Sequence, residues 1–137
     1  MAKRILVIGL GRFGTALALG LSERGCDVLA VDKRMEMIEP VKDKLSFVVE
    51  LDATETDALA AIDAKSCSAA VVAIGESFEQ TVLTVAALKE CGVARVIARS
   101  RDKRQSRILR AVGASDVVEV ETEVGRRYAE DLAKWVS

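Results

Sequence analysis

The stretch ILVIGLGRFG, residues 5–14, joins an apolar run to three closely spaced glycines, and a second apolar segment follows it. The first run predicts a buried strand and the second a helix. A GxGxxG turn between a strand and a helix leaves free backbone amides at the positive end of the helix dipole, where anions bind. The stretch therefore predicts a phosphate-binding turn that opens a βαβ unit.

Each glycine of this turn has its own expected role. Gly9 would permit the tight turn, Gly11 would let the backbone approach a phosphate, and Gly14 would allow the helix to pack closely on the strand. Arg12 lies between the last two glycines, where the amides alone already suit an anion. The position of Arg12 raises the question of which anionic group its side chain binds.

An acidic residue follows at the end of the second predicted strand. Asp32 stands where a carboxylate accepts hydrogen bonds from ribose hydroxyls, and with the glycine turn it indicates a dinucleotide or adenine-nucleotide site. Lys33 and Arg34 leave a 2′-phosphate open on charge alone. Because Asp32 would repel that phosphate, NADP ranks below NAD and ATP or ADP.

Short apolar runs alternate with helical segments along the chain. Strands are predicted at Arg4–Ile8, Asp27–Val31, Ser46–Glu50, Ala69–Ile74, Arg95–Ala98 and Asp116–Val120. Helices are predicted at Phe13–Arg24, Met35–Lys44, Glu55–Ile62, Phe78–Cys91 and Lys103–Val112. Apolar strands with short helical connections indicate an α/β fold, a Rossmann-like, doubly wound, open parallel six-stranded sheet with helices on both faces.

Two further strand ends fall on the same carboxyl edge of this sheet. Asp52, Ala53 and Thr54 end the third strand, where the base or ribose of a ligand would lie, although Asp52 or Thr54 equally suits capping of the next helix. The fourth strand ends in the segment 73–76, where Gly75 would allow the backbone to approach the other end of the ligand.

A last helix is predicted over Glu123–Ser137. Its apolar residues follow helical spacing and form one stripe: Tyr128, Leu132, Trp135 and Val136. Three interpretations are open. The helix packs back on its own sheet, crosses to another subunit, or leads into a further C-terminal segment.

Composition excludes several classes of protein. The net charge of −1 gives no electrostatic basis for nucleic-acid binding, and no apolar run approaches the roughly 18 residues that span a bilayer. The chain has no histidine, which removes the commonest general base and a common metal ligand. A length of 137 residues indicates one domain without a separate substrate lobe.

The motifs GLGRFG, AVDK, DATE, AIGE and GASDVVEVETEVG occur in this order. With them the chain resembles the N-terminal (TrkA-N) domain of RCK/KTN proteins, the cytosolic gating regulators of Trk- and Ktr-type potassium transporters and of potassium channels. The resemblance implies a nucleotide-binding domain over residues 1–122 and a crossover helix over 123–137, with the C-terminal subdomain of the family absent.

The resemblance also assigns site residues. It implies nucleotide binding by Gly9, Gly11, Arg12, Phe13, Gly14, Asp32, Lys33, Asp52, Ala53, Thr54, Ala73, Ile74, Gly75, Glu76 and Arg99. Arg12 matches an arginine that reaches the nucleotide of a neighbouring subunit. Glu121 matches an acidic residue near the terminal phosphate and a divalent cation in Ktr-type members, which implies Mg²⁺ or Ca²⁺ with ATP.

The implied function is regulation of a potassium transporter or channel by ATP/ADP or NAD(H), without catalysis. The resemblance implies a homo-oligomer with a dimer as its building block, and a dimer, a tetramer and an octameric ring are open. It places the chain in the cytoplasm, at the inner face of the membrane through an integral membrane partner. A nicotinamide-dependent oxidoreductase is the alternative. The missing histidine and the lack of a YxxxK pair at Tyr128 weigh against it. A redox-sensing repressor is disfavoured because no helix-turn-helix is recognisable.

Overall fold

Strands and helices alternate along residues 3–137, the part of the chain that the computed structural model describes. Strands β1 to β6 span Arg4–Ile8, Asp27–Asp32, Phe47–Glu50, Ala69–Val72, Val96–Ser100 and Asp116–Glu119. Helices α1 to α6 span Arg12–Glu23, Met35–Ile38, Thr56–Ala61, Phe78–Glu90, Lys103–Val112 and Val120–Val136, and a 3-10 turn covers Ala64–Ser66. This alternation confirms the predicted element order, with most boundaries shifted by one or two residues.

All six strands form one parallel sheet in the order β3-β2-β1-β4-β5-β6. The chain moves outward from β1 to β3, returns across the sheet to β4, and then moves outward again to β6. The predicted doubly wound open sheet is therefore confirmed. Its order reverses between β1 and β4, and at such a point the loops on the two sides diverge and leave a crevice at the carboxyl edge.

Alternate residues of β1, β2 and β3 enter two cores on opposite faces of the sheet, whereas β4, β5 and β6 contribute to the larger core. From β1, Leu6 and Ile8 pack into the larger core, which also contains Leu59, Leu88 and Leu109 from α3, α4 and α5. The smaller core takes Val7 of the same strand and packs under α1 and α2. Burial on both faces explains why the strands are apolar throughout, without polar alternation.

The second helix is shorter than predicted. The sequence pattern favoured a helix over Met35–Lys44, but α2 ends at Ile38 and turns carry the chain on to β3. Pro40 has no N–H to continue the helical ladder, which accounts for the early end. Ile38, Val41 and Leu45 are nevertheless buried, so the apolar spacing predicted the buried face correctly although the helix does not continue.

The C-terminal helix differs from the prediction in its start and in its contacts. The strand predicted to reach Val120 ends at Glu119, and α6 begins at Val120 instead of Glu123, with Glu121 and Glu123 in its first turn, where the helix dipole favours acidic residues. None of the residues of α6 is buried. The interpretation that α6 packs back on its own sheet is therefore wrong. The domain division at residues 122 and 123, which α6 spans, stays a prediction.

Candidate functional site

A cleft of about 310 Å³ opens at the carboxyl edge of the sheet, at the point where the strand order reverses. The ends of β1, β2, β3 and β4 and the first turns of α1 and α4 surround it. The lining residues are Ile8, Gly9, Leu10, Gly11, Arg12, Asp32, Lys33, Arg34, Leu51, Asp52, Ala53, Thr54, Ala73, Ile74, Gly75, Glu76, Ser77, Gln80, Thr84 and Arg99. The cleft thus brings together thirteen of the fifteen predicted nucleotide-binding residues, all except Phe13 and Gly14.

The three glycines occupy different environments. Gly9 has a φ of +97°, and a Cβ there would lie 3.1 Å from the backbone of Ala73. A Cβ on Gly14 would overlap the Gly9 carbonyl oxygen. A Cβ on Gly11 would meet no protein atom within 4 Å. The fold itself requires the first and third glycines, whereas the middle one faces open space in the cleft.

Asp32 ties the glycine turn to the end of β2. Its Oδ2 accepts a hydrogen bond from the Leu10 backbone N–H at 2.8 Å, and its Oδ1 accepts one from the Arg34 backbone N–H at 2.9 Å. A carboxylate offers about four lone-pair directions, so both oxygens keep capacity for a ligand. The two bonds hold Asp32 in place before any ligand arrives.

A salt bridge crosses the mouth of the cleft. Arg34 follows β2, and its Nη2 lies 3.2 Å from Oε1 of Glu76 in the loop after β4. Glu76 was a predicted site residue, whereas Arg34 was predicted only as a contact for a 2′-phosphate. Both side chains are exposed, so the pair adds little stability and opens easily for a ligand.

At the end of β3, the Asp52 side chain forms hydrogen bonds within its own loop. Its Oδ1 accepts hydrogen bonds from Thr54 Oγ1 at 2.7 Å and from the Thr54 backbone N–H at 3.0 Å. These bonds, the side-chain one first, lower the pKa of Asp52. Helix α3 begins with Glu55 as its N-cap and no side-chain cap bond, so capping by Asp52 or Thr54 does not occur.

Arg99 stands at the far side of the cleft and joins three elements. Its Nη2 lies 2.6 Å from Oε1 of Glu121 in the first turn of α6. Its guanidinium carbon lies 5.6 Å from the centre of the Phe13 ring in α1. A hydrogen bond from its own backbone N–H, followed by the bond from Arg99, lowers the pKa of Glu121. Phe13 therefore supports Arg99 from outside the cleft.

Beside the cleft, Arg99 and Glu121 also line a smaller polar cavity of about 140 Å³. Arg101 and Gln105 lie on its other side, between the first turns of α4 and α5. Within residues 3–137, no three His, Cys, Asp or Glu side chains come together as metal ligands. Glu121 has a cationic partner at its carboxylate, and as a metal ligand it stays a prediction.

Six lining residues of the cleft were not predicted from the sequence. They are Ile8, Leu10, Leu51, Ser77, Gln80 and Thr84. Three of these, Ser77, Gln80 and Thr84, follow helical spacing at the start of α4. Polar residues on the buried side of a sheet-packed helix were the signal that could have identified them.

A crevice at the switch point, a glycine turn before α1 and an acidic residue after β2 define the class of nucleotide-binding Rossmann-like domains. The sequence model of the TrkA-N domain family matches residues 5–120, and the chain belongs to this family. None of the helices between residues 3 and 137 combines the length and apolar character that a membrane-spanning segment requires.

Two relatives of the chain are named as proteins of Ktr potassium uptake systems. The chain is 31% identical over 132 residues to the Ktr system potassium uptake protein C of Bacillus subtilis, which covers 96% of this chain and 60% of the relative. It is 30% identical over 130 residues to the Ktr system potassium uptake protein A of Vibrio alginolyticus, covering 95% and 59%. The chain thus spans about three-fifths of the length of these relatives.

Solved structures share the fold. The NAD(P)-binding domain of an exopolyphosphatase-related protein from Archaeoglobus fulgidus superposes with a TM-score of 0.85 at 28% identity, over 95% of this chain and 97% of that one. The GsuK channel bound to NAD gives 0.80 at 19% identity, over 93% and 23%. GsuK bound to ADP gives 0.74 at 18% identity, over 86% and 31%.

Proposed function

We propose that this chain is a nucleotide-sensing regulatory domain of a potassium uptake system and has no catalytic activity of its own. The observation that carries the proposal is the cleft, in which Gly11, the start of α1 and a pre-positioned Asp32 surround one space. Membership of the TrkA-N family and the potassium uptake relatives supply the physiological setting. The chain has no histidine for acid–base chemistry.

The ligand is an adenine nucleotide, ATP/ADP or NAD(H). Gly11 and the amides at the start of α1 take the phosphates, and Asp32 takes the ribose hydroxyls. The segment 52–54 and the loop 73–76, both of which line the cleft, enclose the base and ribose, and Lys33 and Arg99 supply positive charge. Structures with the same fold hold NAD in one case and ADP in another, which supports this ligand class.

A nucleotide panel tests this proposal. Thermal shift and calorimetry with ATP, ADP, AMP, NAD, NADH and NADP should show stabilisation by adenine nucleotides, since a ligand that binds only the folded state raises its stability. Asp32→Ala should weaken binding about tenfold or more. Asp43→Ala, an exposed acidic residue outside the cleft, is the matched control and should leave affinity unchanged. No stabilisation by any nucleotide in the panel refutes the proposal.

The functional unit is a homo-oligomer built on a dimer, and the occupant of the exposed α6 stripe is a second copy of this chain. Tyr128, Leu132 and Trp135 are 61%, 51% and 81% exposed. The charges of α6 complement themselves in an antiparallel pair, because acidic Glu123 would lie opposite Lys134 and the pair 126–127, both arginine, opposite the acidic pair 130–131.

Arg12 distinguishes nucleotides across this dimer. It is exposed at the first residue of α1 and lines the mouth of the cleft, so its side chain is available to a neighbouring copy. A γ-phosphate contacted from the second subunit would make ATP bind one arrangement of the dimer better than ADP does. Such differential binding is what lets a ligand shift an assembly, and roughly 1–3 kcal/mol of coupling is enough.

A divalent cation accompanies ATP in the same proposal. Mg²⁺ is commonly held by one or two carboxylates together with phosphate oxygens, and Glu121 would be such a carboxylate here. Its present partner, the Arg99 guanidinium, would have to release it. Glu121→Gln should therefore reduce any Mg²⁺ or Ca²⁺ dependence of ATP binding, measured by calorimetry with and without each cation. ATP binding that does not depend on either cation in the wild type removes the cation from the proposal.

The partner is an integral membrane potassium transporter or channel subunit, to which the oligomer attaches from the cytoplasmic side. The names of the two relatives support this setting. The dimer would be the whole assembly or the building block of a tetramer or an octameric ring, the alternatives that the family resemblance leaves open. Co-purification of the chain with a transporter subunit tests the assignment, and its dependence on ATP against ADP tests the regulatory part.

A further inference from the structure

One hydroxyl at the cleft lacks a partner. Helix α4 directs three polar residues, Ser77, Gln80 and Thr84, to the cleft. The Ser77 hydroxyl is occupied, because it accepts the Gln80 backbone N–H at 3.2 Å and caps the helix. Thr84 is 0% exposed, and within the described residues 3–137 its Oγ1 is the buried side-chain oxygen or nitrogen without a hydrogen bond.

This isolation is unfavourable for the chain alone. A buried polar group without a partner costs about 1–3 kcal/mol, and valine would fill nearly the same volume without that cost. Thr81, one turn earlier, shows the usual solution, since its hydroxyl donates to the Ser77 carbonyl oxygen at 3.1 Å. Thr84 is flanked by apolar core residues, Val85 and Leu88 among them. Its hydroxyl therefore indicates a hydrogen-bonding partner that residues 3–137 do not supply in this structure.

The surroundings of Thr84 select the part of a nucleotide that would reach it. The phosphates and ribose have their partners at Gly11 and Asp32 in the proposed function. The cleft that Thr84 lines is also lined by the apolar side chains of Leu51 and Ile74, which pack against the same core cluster as its helix neighbours Val85 and Leu88. Burying a phosphate among them without a counter-charge would be costly, whereas a neutral planar base buries readily and carries hydrogen-bonding groups on its edge.

We propose that the Thr84 hydroxyl binds the base edge of the adenine nucleotide and is an affinity determinant of the cleft. The inference rests on the proposed function and deepens it. A hydroxyl both donates and accepts, so it can pair with a ring nitrogen or with the exocyclic amine after rotation about its Cα–Cβ bond. The hydroxyl fits ATP, ADP and NAD alike, because all three carry the same adenine.

Substitution of Thr84 by valine tests the inference. Thr84→Val keeps the shape and removes the hydroxyl, so ADP and NAD should bind about five- to tenfold more weakly in calorimetry, the value of one hydrogen bond. Millimolar ribose 5-phosphate, which has no base, should give the same thermal shift in both proteins. Thr84→Ser keeps the hydroxyl and should retain most of the affinity. The ligand-free valine variant should be at least as stable as the wild type.

Thr81→Val is the matched control on the same helix. Its hydroxyl has a partner within the chain, so this variant should lose stability in urea unfolding and keep its ADP affinity within twofold. ADP binding of equal strength in wild type and Thr84→Val overturns the inference and leaves the proposed function intact. An equal loss of ribose 5-phosphate binding in Thr84→Val also overturns the inference. A ligand-free Thr84→Val protein that is destabilised as much as Thr81→Val overturns it too, because this result indicates that an internal water is the partner of the Thr84 hydroxyl. Absence of nucleotide binding in the wild type overturns both.

Discussion

The glycine turn over residues 9–14 is held by contacts within the chain, whereas helix α6 makes few contacts with the rest of the domain. In the turn, the Gly9 backbone N–H donates to the Val31 carbonyl oxygen at 2.9 Å, Leu10 is held by Asp32, and Gly14 packs against the Gly9 carbonyl. In α6, none of the residues from Val120 to Val136 is buried.

The difference separates what the domain needs to fold from what it leaves for a partner. Contacts within the domain fix the conformation of the turn, and of its three glycines only Gly11 has open space beside it. The apolar side chains of α6 contribute nothing to the core, and burying a large one is worth about 1.5–3 kcal/mol. Changes in the turn should therefore act on folding or nucleotide binding, and changes in α6 on association.

The largest expected effect is at Gly14. In Gly14→Ala the new methyl group overlaps the Gly9 carbonyl oxygen, so the free energy of unfolding should fall by about 3 kcal/mol or more in urea titration. Gly11→Ala is the matched control and should cost less than about 1 kcal/mol, the difference between glycine and alanine at an N-cap. Nucleotide affinity of Gly11→Ala should drop at least tenfold. Equal stability losses in the two variants would contradict the division of roles among the glycines.

The second effect concerns association through α6. Leu132→Glu places a charge in the apolar stripe and should weaken self-association at least tenfold in analytical ultracentrifugation. Ala133→Glu introduces the same charge about 100° around the exposed helix from Leu132, outside the apolar stripe, and should leave self-association unchanged. Fluorescence of Trp135, the only tryptophan, should shift to the red when the dimer dissociates. A chain that is monomeric at high concentration with and without nucleotide refutes the pairing of two copies.

A smaller effect is expected at Arg12. Arg12→Ala removes a charge-assisted contact to a phosphate, worth about 1.5–3 kcal/mol, from the neighbouring subunit only. ADP and NAD affinities should stay within about twofold, while stabilisation of the dimer by ATP is reduced. Lys33→Ala, a cationic residue of the cleft at the end of β2, provides the comparison within one subunit. Equal losses for all nucleotides in Arg12→Ala would show that Arg12 contacts the phosphate of its own subunit.

The smallest effect is a pH dependence at Asp52. Its pKa is lowered below the ordinary 3.8 by bonds from Thr54, so their stabilising effect is present above that value and lost as the pH falls through the folded pKa. Thr54→Val removes the side-chain bond and should cost about 0.5 kcal/mol at pH 7, since the pair is exposed. The difference from wild type should shrink as the pH falls below about 4, the ordinary pKa of an aspartate. In an Asp52→Asn background, the stability difference caused by Thr54→Val should not vary with pH in this range.

Much of the site was predictable because it is built from residues that are close in sequence or follow parallel strands. A strand, a glycine turn and a helix are adjacent in sequence, and the carboxyl ends of parallel strands share one edge, so residues after β1 to β5 converge. The early end of α2 was less visible, because Ile38, Val41 and Leu45 keep helical spacing and only Pro40 interrupts the ladder. The spacing of Thr84 with Ser77 and Gln80 was a signal of its position, but the missing partner of its hydroxyl was not predictable, since a buried threonine with a partner looks the same in sequence.

The sequence by itself determined the parallel sheet, the burial of its strands on both faces, and the position of the nucleotide cleft, because strand apolarity and glycine spacing act over short distances. Tertiary structure decided the rest. It showed that Asp32 holds the glycine turn, that Arg99 bridges Phe13 and Glu121, and that α6 stays exposed. These depend on which surfaces meet in three dimensions, and no spacing along one chain records that.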